Sequence, residues 1–119
     1  VICPARIDDK VAKKARAIAL KVSENFNHVG LLAVEMFQTV NNDVLVNEVA
    51  PRPHNSGHQT IEGNYVSQFG QHLRAIFNLP LANTGARGNA IMIKSCGTFL
   101  SISTRRCIFC MGSFGRLRT

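Results

Sequence analysis

The sequence predicts an α+β fold, an antiparallel sheet flanked by helices, and three patterns support this prediction. A helical repeat of apolar residues follows residue 8. Two apolar runs rich in β-branched residues come next, Val29–Val40 and Asp43–Val49, and only Asn41-Asn42 separates them. Such an Asn pair is typical of a hairpin turn, because Asn tolerates positive φ. A second helical repeat follows residue 64, so we expect a helix, a hairpin and a helix in that order.

Length and composition fit one modest domain or part of a larger one. The chain has 119 residues, and 45% of them are hydrophobic, which is ordinary for a globular protein. It does not begin with Met, and its first residues read like the interior of a longer protein. No apolar run approaches the roughly 20 residues that span a bilayer, and no secretory signal opens the chain. We therefore expect a cytoplasmic protein without membrane contact.

The net charge of +7 is concentrated at the C-terminal end. Residues 1–90 carry nine basic and seven acidic side chains, whereas residues 91–119 carry five basic side chains and no acidic one. A basic tail can bind phosphate backbones without sequence preference. A small basic module for phosphate or nucleic acid is therefore an alternative function. Because the remainder of the chain is nearly balanced, we expect no nucleic-acid partner.

The first helix is predicted to begin at Asp8 and Asp9 and to end near Asn25–His28. Its apolar residues recur at spacings of four, three and four, which is one stripe of an amphipathic helix. These residues are Val11, Ala15, Ile18 and Val22. Acids at the start and lysines further along also suit the helix dipole.

The hairpin brings two carboxylates together if its turn has two residues. Val40 then pairs with Asp43, and Glu35 falls directly opposite Glu48, with Cβ atoms about 5 Å apart. Two carboxylates that close repel each other, so either one is protonated or a cation lies between them. A shift of the turn would instead set Glu48 opposite Phe37. The remaining alternative is that the two glutamates are unrelated surface residues on a half-exposed sheet.

A stiff polar loop follows the second strand, which ends in Asn47 and Glu48. Two prolines in the loop fix φ and remove backbone donors. Five polar side chains lie among them: Arg52, His54, Asn55, Ser56 and His58. Arg52 offers a planar fork that suits a phosphate, and the others can donate and accept hydrogen bonds around a polar ligand. We interpret the segment as a ligand-binding loop; the alternative is a surface turn.

A second helix is predicted after Asn64, which could cap it, and ends near Asn78. An apolar stripe is expected to pack into the core: Tyr65, Phe69, Leu73 and Ile76. Three polar residues are expected to face outward: Gln68, Gln71 and Arg74. A linker over residues 82–88 leads to a further strand that begins at Ala90–Ile93.

From Lys94 onward the composition changes, acids vanish and no clean period remains. We hypothesise that this tail is a frameshifted or otherwise non-native end. It holds Cys107 and Cys110, whose spacing is that of half a zinc knuckle or of a redox pair. A structural zinc needs four ligands, and no second pair or nearby His follows. Free thiols in a reducing compartment are the simpler interpretation for all four cysteines.

Three segments closely resemble one family. They are GLLAVEMF, LVNEVAPRPHNSGHQTIEG and SQFGQHLRAIFNLPL, which begin at Gly30, Leu45 and Ser67. Over residues 1–93 the chain resembles the 5-(carboxyamino)imidazole ribonucleotide synthases, ATP-grasp enzymes of purine biosynthesis. The resemblance implies that residues 1–90 are the C-terminal half of an ATP-grasp domain. Residues 91–119 would then start a C-terminal region, with a tail unlike that of the family.

The resemblance also implies a reaction, in which ATP and bicarbonate form carboxyphosphate and the carboxyl group passes to 5-aminoimidazole ribonucleotide. It implies Mg²⁺ as cofactor and a homodimer as the complete enzyme. An ATP-grasp ligase or carboxylase with another acceptor is the nearest alternative. Because the family's N-terminal domain and the first half of its ATP-grasp domain do not match, we expect a partial enzyme with little or no activity alone.

The site residues that the resemblance implies lie in the hairpin and the loop. Glu35 and Glu48 correspond to the magnesium ligands, and Asn47 with Glu48 to the pair at the ATP phosphates. The side that binds bicarbonate and the aminoimidazole ribonucleotide corresponds to Arg52, His54, Asn55 and Ser56. The first three of these also correspond to the catalytic residues.

Overall fold

The structure, a computed structural model, describes residues 1–93 and the backbone of residues 107–114. The strands are β1 (Ile2–Cys3), β2 (Gly30–Gln38), β3 (Val44–Ala50), β4 (Ala90–Ile91) and β5 (Cys107–Phe114). The helices are α1 (Asp9–Phe26), α2 (Thr60–Gly63) and α3 (Gln68–Ile76), with a 3₁₀ turn at Asn55–Gly57. The predicted α+β class is confirmed.

The larger sheet has the strand order β3-β2-β5, and both of its pairings are antiparallel. A separate two-stranded sheet joins β1 to β4. Strand β5 pairs along β2 from Gly30 opposite Phe114 to Phe37 opposite Cys107. The sequence predicted no element there. The short run of mostly apolar residues is nevertheless compatible with a strand. The frameshift hypothesis concerns residues 94–119, of which only the backbone of 107–114 is described, so it stays a hypothesis. The cysteine at position 96 and the side chains of Cys107 and Cys110 lie outside the described part of the chain.

Helix α1 follows its prediction closely. The Asp8 carboxylate accepts a hydrogen bond from the Lys10 N–H at 2.7 Å and caps the helix. Asn27 ends the helix in the left-handed conformation, with φ at 47°. The predicted stripe is the face that packs on the even-numbered side chains of β2. The buried core comprises Val11, Ala15, Ala19, Leu32, Val34, Met36 and Val44. Among the described residues, no helix is both long and apolar enough to cross a membrane.

Helix α3 lies against the other face of β2, where Leu31 and Ala33 are buried. Its beginning differs from the prediction, because Ser67 and not Asn64 is the cap. The Ser67 hydroxyl accepts from the Gly70 N–H at 3.2 Å. Asn64 instead donates its side-chain amide to the Thr84 carbonyl.

The predicted orientation of α3 is wrong. Gln68 and Gln71 are each only 3% exposed, whereas Leu73 is 52% exposed. The apolar stripe faces solvent, and the two glutamines face inward because their amides bond to backbone groups of neighbouring loops. A buried backbone group without a hydrogen-bond partner costs free energy. The two glutamine amides supply such partners, which accounts for their place on the inner face.

The hairpin turn also differs from the prediction. Thr39 donates its N–H to the Asp43 carbonyl at 2.9 Å, so the loop contains the three residues 40–42. Asn42 adopts a positive φ of 62°. A turn followed by a left-handed residue is the common form of a three-residue hairpin loop. Gln38 therefore pairs with Val44, one residue away from the register of a two-residue turn.

Gly30 offers a test of how β2 is held against α3. Its φ is 118°, and a Cβ there would lie 2.9 Å from ring atoms of His72. The His72 Nδ1 accepts from the Leu31 N–H at 3.0 Å, so the ring cannot move away without losing that bond. We expect Gly30→Ala to destabilise the fold by roughly 1–3 kcal/mol of backbone strain, and by about 1–3 kcal/mol more through overpacking.

Thermal and denaturant unfolding of the 119-residue chain would measure this loss. Gly88→Ala is the matched control, because a Cβ at Gly88 meets nothing within 4 Å. Equal unfolding midpoints for the two variants would contradict the contact between Gly30 and His72.

Candidate active site

The centre of the candidate site is the pairing of Glu35 with Glu48 across β2 and β3. The register changes between Glu35 and Met36, which pairs with Val46, so that Asn47 is an extra residue in β3. This bulge offsets the extra residue in the turn. The predicted pairing of the glutamates is therefore confirmed, although the predicted turn is not. Bulges bend a strand and are frequent next to active sites.

His54 completes a cluster with the two carboxylates. One carboxylate oxygen of Glu35, one of Glu48 and a ring nitrogen of His54 all lie within 4.8 Å of one another. Glu35 and His54 are half-buried, and Glu48 is exposed. Carboxylate oxygens are the hard ligands that Mg²⁺ prefers, so the donor set fits that ion through Glu35 and Glu48. The sequence placed His54 in the loop but did not predict its proximity to the carboxylates.

The 3₁₀ turn shapes the loop around His54. The Gly57 N–H bonds to the His54 carbonyl at 2.9 Å, and Nδ1 of the His54 ring lies 2.9 Å from the Ser56 hydroxyl. Ser56 is only 6% exposed. Ser56 therefore orients the His54 ring from within the fold, whereas the neighbouring Asn55 is exposed to solvent.

Arg52 and His58 lie on the outer side of the loop, and both are exposed. Arg52 donates from Nη1 to the Pro53 carbonyl at 3.0 Å. The His58 ring packs against Phe69 of α3, with ring centroids 5.6 Å apart. His58 thus packs against helix α3, while a ring nitrogen of His54 lies within 4.8 Å of a carboxylate oxygen of each glutamate.

Gln68 is the site neighbour that the sequence did not reveal. Its side chain bonds to both backbone groups of His54, at 2.9 Å and 2.8 Å. The sequence pattern predicts an outward position for it, because the apolar stripe of the helix is assigned to the core. One signal was present: Gln68, Gln71 and Ala75 recur at spacings of three and four, and these are the buried residues of α3.

Comparison with known proteins shows the family to which the chain belongs. The family model of the ATP-grasp domain matches residues 1–69. The chain belongs to the ATP-grasp family. It is 47% identical over 96 residues to the N5-carboxyaminoimidazole ribonucleotide synthase of Bacillus subtilis, which covers 81% of this chain and 25% of that protein. The resemblance predicted from the three segments is thereby confirmed.

Solved structures give the same result. The chain is similar to the N5-carboxyaminoimidazole ribonucleotide synthetase of Thermotoga maritima, with a TM-score of 0.72 and 55% identity over 74% of this chain and 24% of that one. It is also similar to the Aspergillus clavatus synthase in complex with ADP and 5-aminoimidazole ribonucleotide. There the TM-score is 0.69 and the identity 41%, over 74% of this chain and 24% of that one. The chain thus spans about a quarter of the length of these relatives.

Proposed function

We propose that this chain is part of an ATP-dependent ligase that carboxylates 5-aminoimidazole ribonucleotide with bicarbonate. The observation that carries the proposal is the opposed Glu35–Glu48 pair with His54 beside it. This arrangement lies in an ATP-grasp chain that is similar to a synthase solved with ADP and that ribonucleotide. ATP and bicarbonate would give carboxyphosphate and ADP. The exocyclic amine would then take the carboxyl group and release phosphate.

Glu35 and Glu48 would hold Mg²⁺, and Asn47 with Glu48 would face the phosphates of ATP. When bound, the ion offsets negative charge on phosphate oxygens during transfer. The pairing supports this assignment, because two carboxylates at opposed positions repel each other unless a proton or a cation lies between them.

The loop would bind the acceptor side of the reaction. Arg52 is exposed, and its guanidinium can bind the ribonucleotide phosphate with two parallel hydrogen bonds. His54 and Asn55 would contact bicarbonate and the aminoimidazole. Ser56 would contribute through the His54 ring, to which it is bonded.

The wider assignments follow from the same resemblance. Residues 1–90 would form the C-terminal half of the ATP-grasp domain, and residues 91–119 would begin the next region. The complete enzyme would be a cytoplasmic homodimer. The exposed apolar stripe of α3 supports a larger protein around this segment, since contiguous apolar surface usually marks a contact.

A chimera tests the proposed function. Residues 1–93 would replace the matching segment of the Thermotoga maritima synthase, which is 55% identical. We expect ADP release that depends on bicarbonate and 5-aminoimidazole ribonucleotide, with turnover comparable to that of the host. A folded chimera that binds no ATP would contradict the proposal. Hydrolysis of ATP that ignores the ribonucleotide would favour a different acceptor.

Glu48→Gln in the chimera should leave the fold intact and lower kcat about 100-fold or more, because it removes a charge that stabilises the transition state. Glu35→Gln should act similarly. The double variant should be little worse than either, since the pair acts as a unit. Steady-state kinetics over a Mg²⁺ titration would measure this, with Glu62→Gln as the control. Near-normal kcat of Glu48→Gln at saturating Mg²⁺ would refute the metal role.

Arg52→Lys should raise KM for the aminoimidazole ribonucleotide and spare KM for ATP, because Lys keeps the charge but loses the fork. A lost charge-assisted hydrogen bond costs roughly 1.5–3 kcal/mol, which is about 10- to 150-fold in affinity. Asn55→Ala should act in the same direction with a smaller effect.

Kinetics with each substrate varied in turn would measure both constants. Arg16→Lys, an exposed position on α1, is the matched control. A rise in KM for ATP alone would assign Arg52 to the nucleotide. No change in Arg52→Ala would make the loop a structural turn.

A further inference from the structure

We infer that Gln68 is a positioning residue that holds His54 beside the Glu35–Glu48 pair. The inference rests on the proposed function, and it adds to the site a residue that lies outside both the hairpin and the loop. Gln68 would not touch substrate; it would act through the backbone of His54.

The contact between Gln68 and His54 is a double hydrogen bond. The Gln68 Oε1 accepts from the His54 N–H at 2.9 Å, and its Nε2 donates to the His54 carbonyl at 2.8 Å. Gln68 is buried, with only 3% of the residue exposed. One planar amide thereby engages the peptide groups on both sides of the His54 Cα, so it limits the rotation of His54 as well as its position.

A second connection joins the same residue to the end of the 3₁₀ turn. The Gln68 N–H bonds to the Thr60 hydroxyl at 2.9 Å, and that hydroxyl donates to the Gly57 carbonyl at 2.6 Å. Thr60 is buried. Both ends of the turn that follows His54 are thus attached to the first residue of α3.

Helix α3 is in turn fixed to the strand that carries Glu35. The His72 ring accepts from the backbone N–H of Leu31 in β2, at 3.0 Å. The strand positions one carboxylate, and the helix positions the histidine. A site geometry built on regular elements is held more closely than one on a loop alone.

Parts of the loop lie in solvent. Arg52 and Asn55 are exposed, and the segment after β3 belongs to no sheet. Ordering a backbone costs about 1–2 kcal/mol per residue, and misplacing a reacting group by 1 Å can lower the rate about 100-fold. We therefore expect the loss of the Gln68 hydrogen bonds to affect the rate of the reaction more than the stability of the fold.

The same helix provides a matched control. Gln71 is equally buried. Its side-chain amide makes the same pair of hydrogen bonds, to the backbone N–H and carbonyl of Ala82, at 3.1 Å and 3.2 Å. Ala82 follows α3 and is not part of the loop. Replacing either glutamine by Met keeps most of the volume and removes two hydrogen bonds.

The experiment compares Gln68→Met with Gln71→Met in the chimera. We expect similar losses in Tm, because the lost bonds are of the same kind. Only Gln68→Met should lower kcat, by about 10- to 100-fold. Histidine ring signals in NMR spectra, with His54→Ala for assignment, should shift or broaden for His54 in Gln68→Met and remain in place in Gln71→Met. This readout does not require turnover.

A double variant separates positioning from stability. Adding Gln68→Met to His54→Ala should lower kcat little further, because residues that act through one another are not additive. If Gln68→Met does not fold, Thr60→Val removes the second connection and should change the His54 signals and kcat in the same direction.

Two results would overturn the inference. One is an equal effect of Gln68→Met and Gln71→Met on kcat and on the His54 signals. The other is a double variant whose kcat is lowered by the full product of the factors measured for Gln68→Met and His54→Ala alone. An inactive unmodified chimera would contradict the proposed function alone, and the NMR comparison would still decide whether Gln68 fixes His54.

Discussion

The pairing of β2 with β3 is the constraint on which the rest of the structure depends. β2 is the central strand of its sheet and is buried on both faces over most of its length. It can therefore fix α1 on one side and α3 on the other. Its partner β3 is an edge strand, and the bulge at Asn47 sets Glu48 against Glu35. Two opposed carboxylates repel each other and destabilise the folded state unless a positive charge or a proton lies between them. In the proposed function, a bound cation would offset this repulsion.

Polar contacts, rather than apolar packing, join the loop to this frame. Gln68, Thr60 and Ser56 are all buried, and each is hydrogen-bonded within or next to the loop. A buried polar network that is satisfied is rigid and sets one geometry, whereas a partly satisfied one is costly. The apolar side chains of residues 51–60 are those of Pro51, which is exposed, and Pro53, which is half-buried. The shape of the loop therefore depends on hydrogen bonds that Thr60 of α2 and Gln68 of α3 supply.

Much of this was predictable from the sequence, and the errors have physical causes. The apolar stripe and the acids at its start predicted α1, and apolar runs rich in β-branched residues predicted both strands of the hairpin. In these elements local propensity and packing agree. The apolar stripe that contains Phe69 and Leu73 led to the wrong orientation of α3. Periodicity shows which side chains of a helix are apolar, but not whether anything packs on them. The chain spans about a quarter of its relatives, so such a face can lack its cover. The pairing of Glu35 with Glu48 was predicted from a two-residue turn. The turn has three residues, and the bulge in β3 restores the predicted pairing.

The placement of charge in the described residues bears on the proposed chemistry. The four lysines of the described residues all lie on α1: Lys10, Lys13, Lys14 and Lys21. Helix α1 packs on the even-numbered side chains of β2, so these lysines lie on the face of the sheet away from Glu35. Lys14 is engaged by Asp43 at 2.8 Å. The described site therefore offers carboxylates for a cation and Arg52 for an anion, but no lysine for the outer phosphates of a nucleotide. In the proposed function, this segment would serve the metal and the acceptor, and Asn47 with Glu48 would face the ATP phosphates.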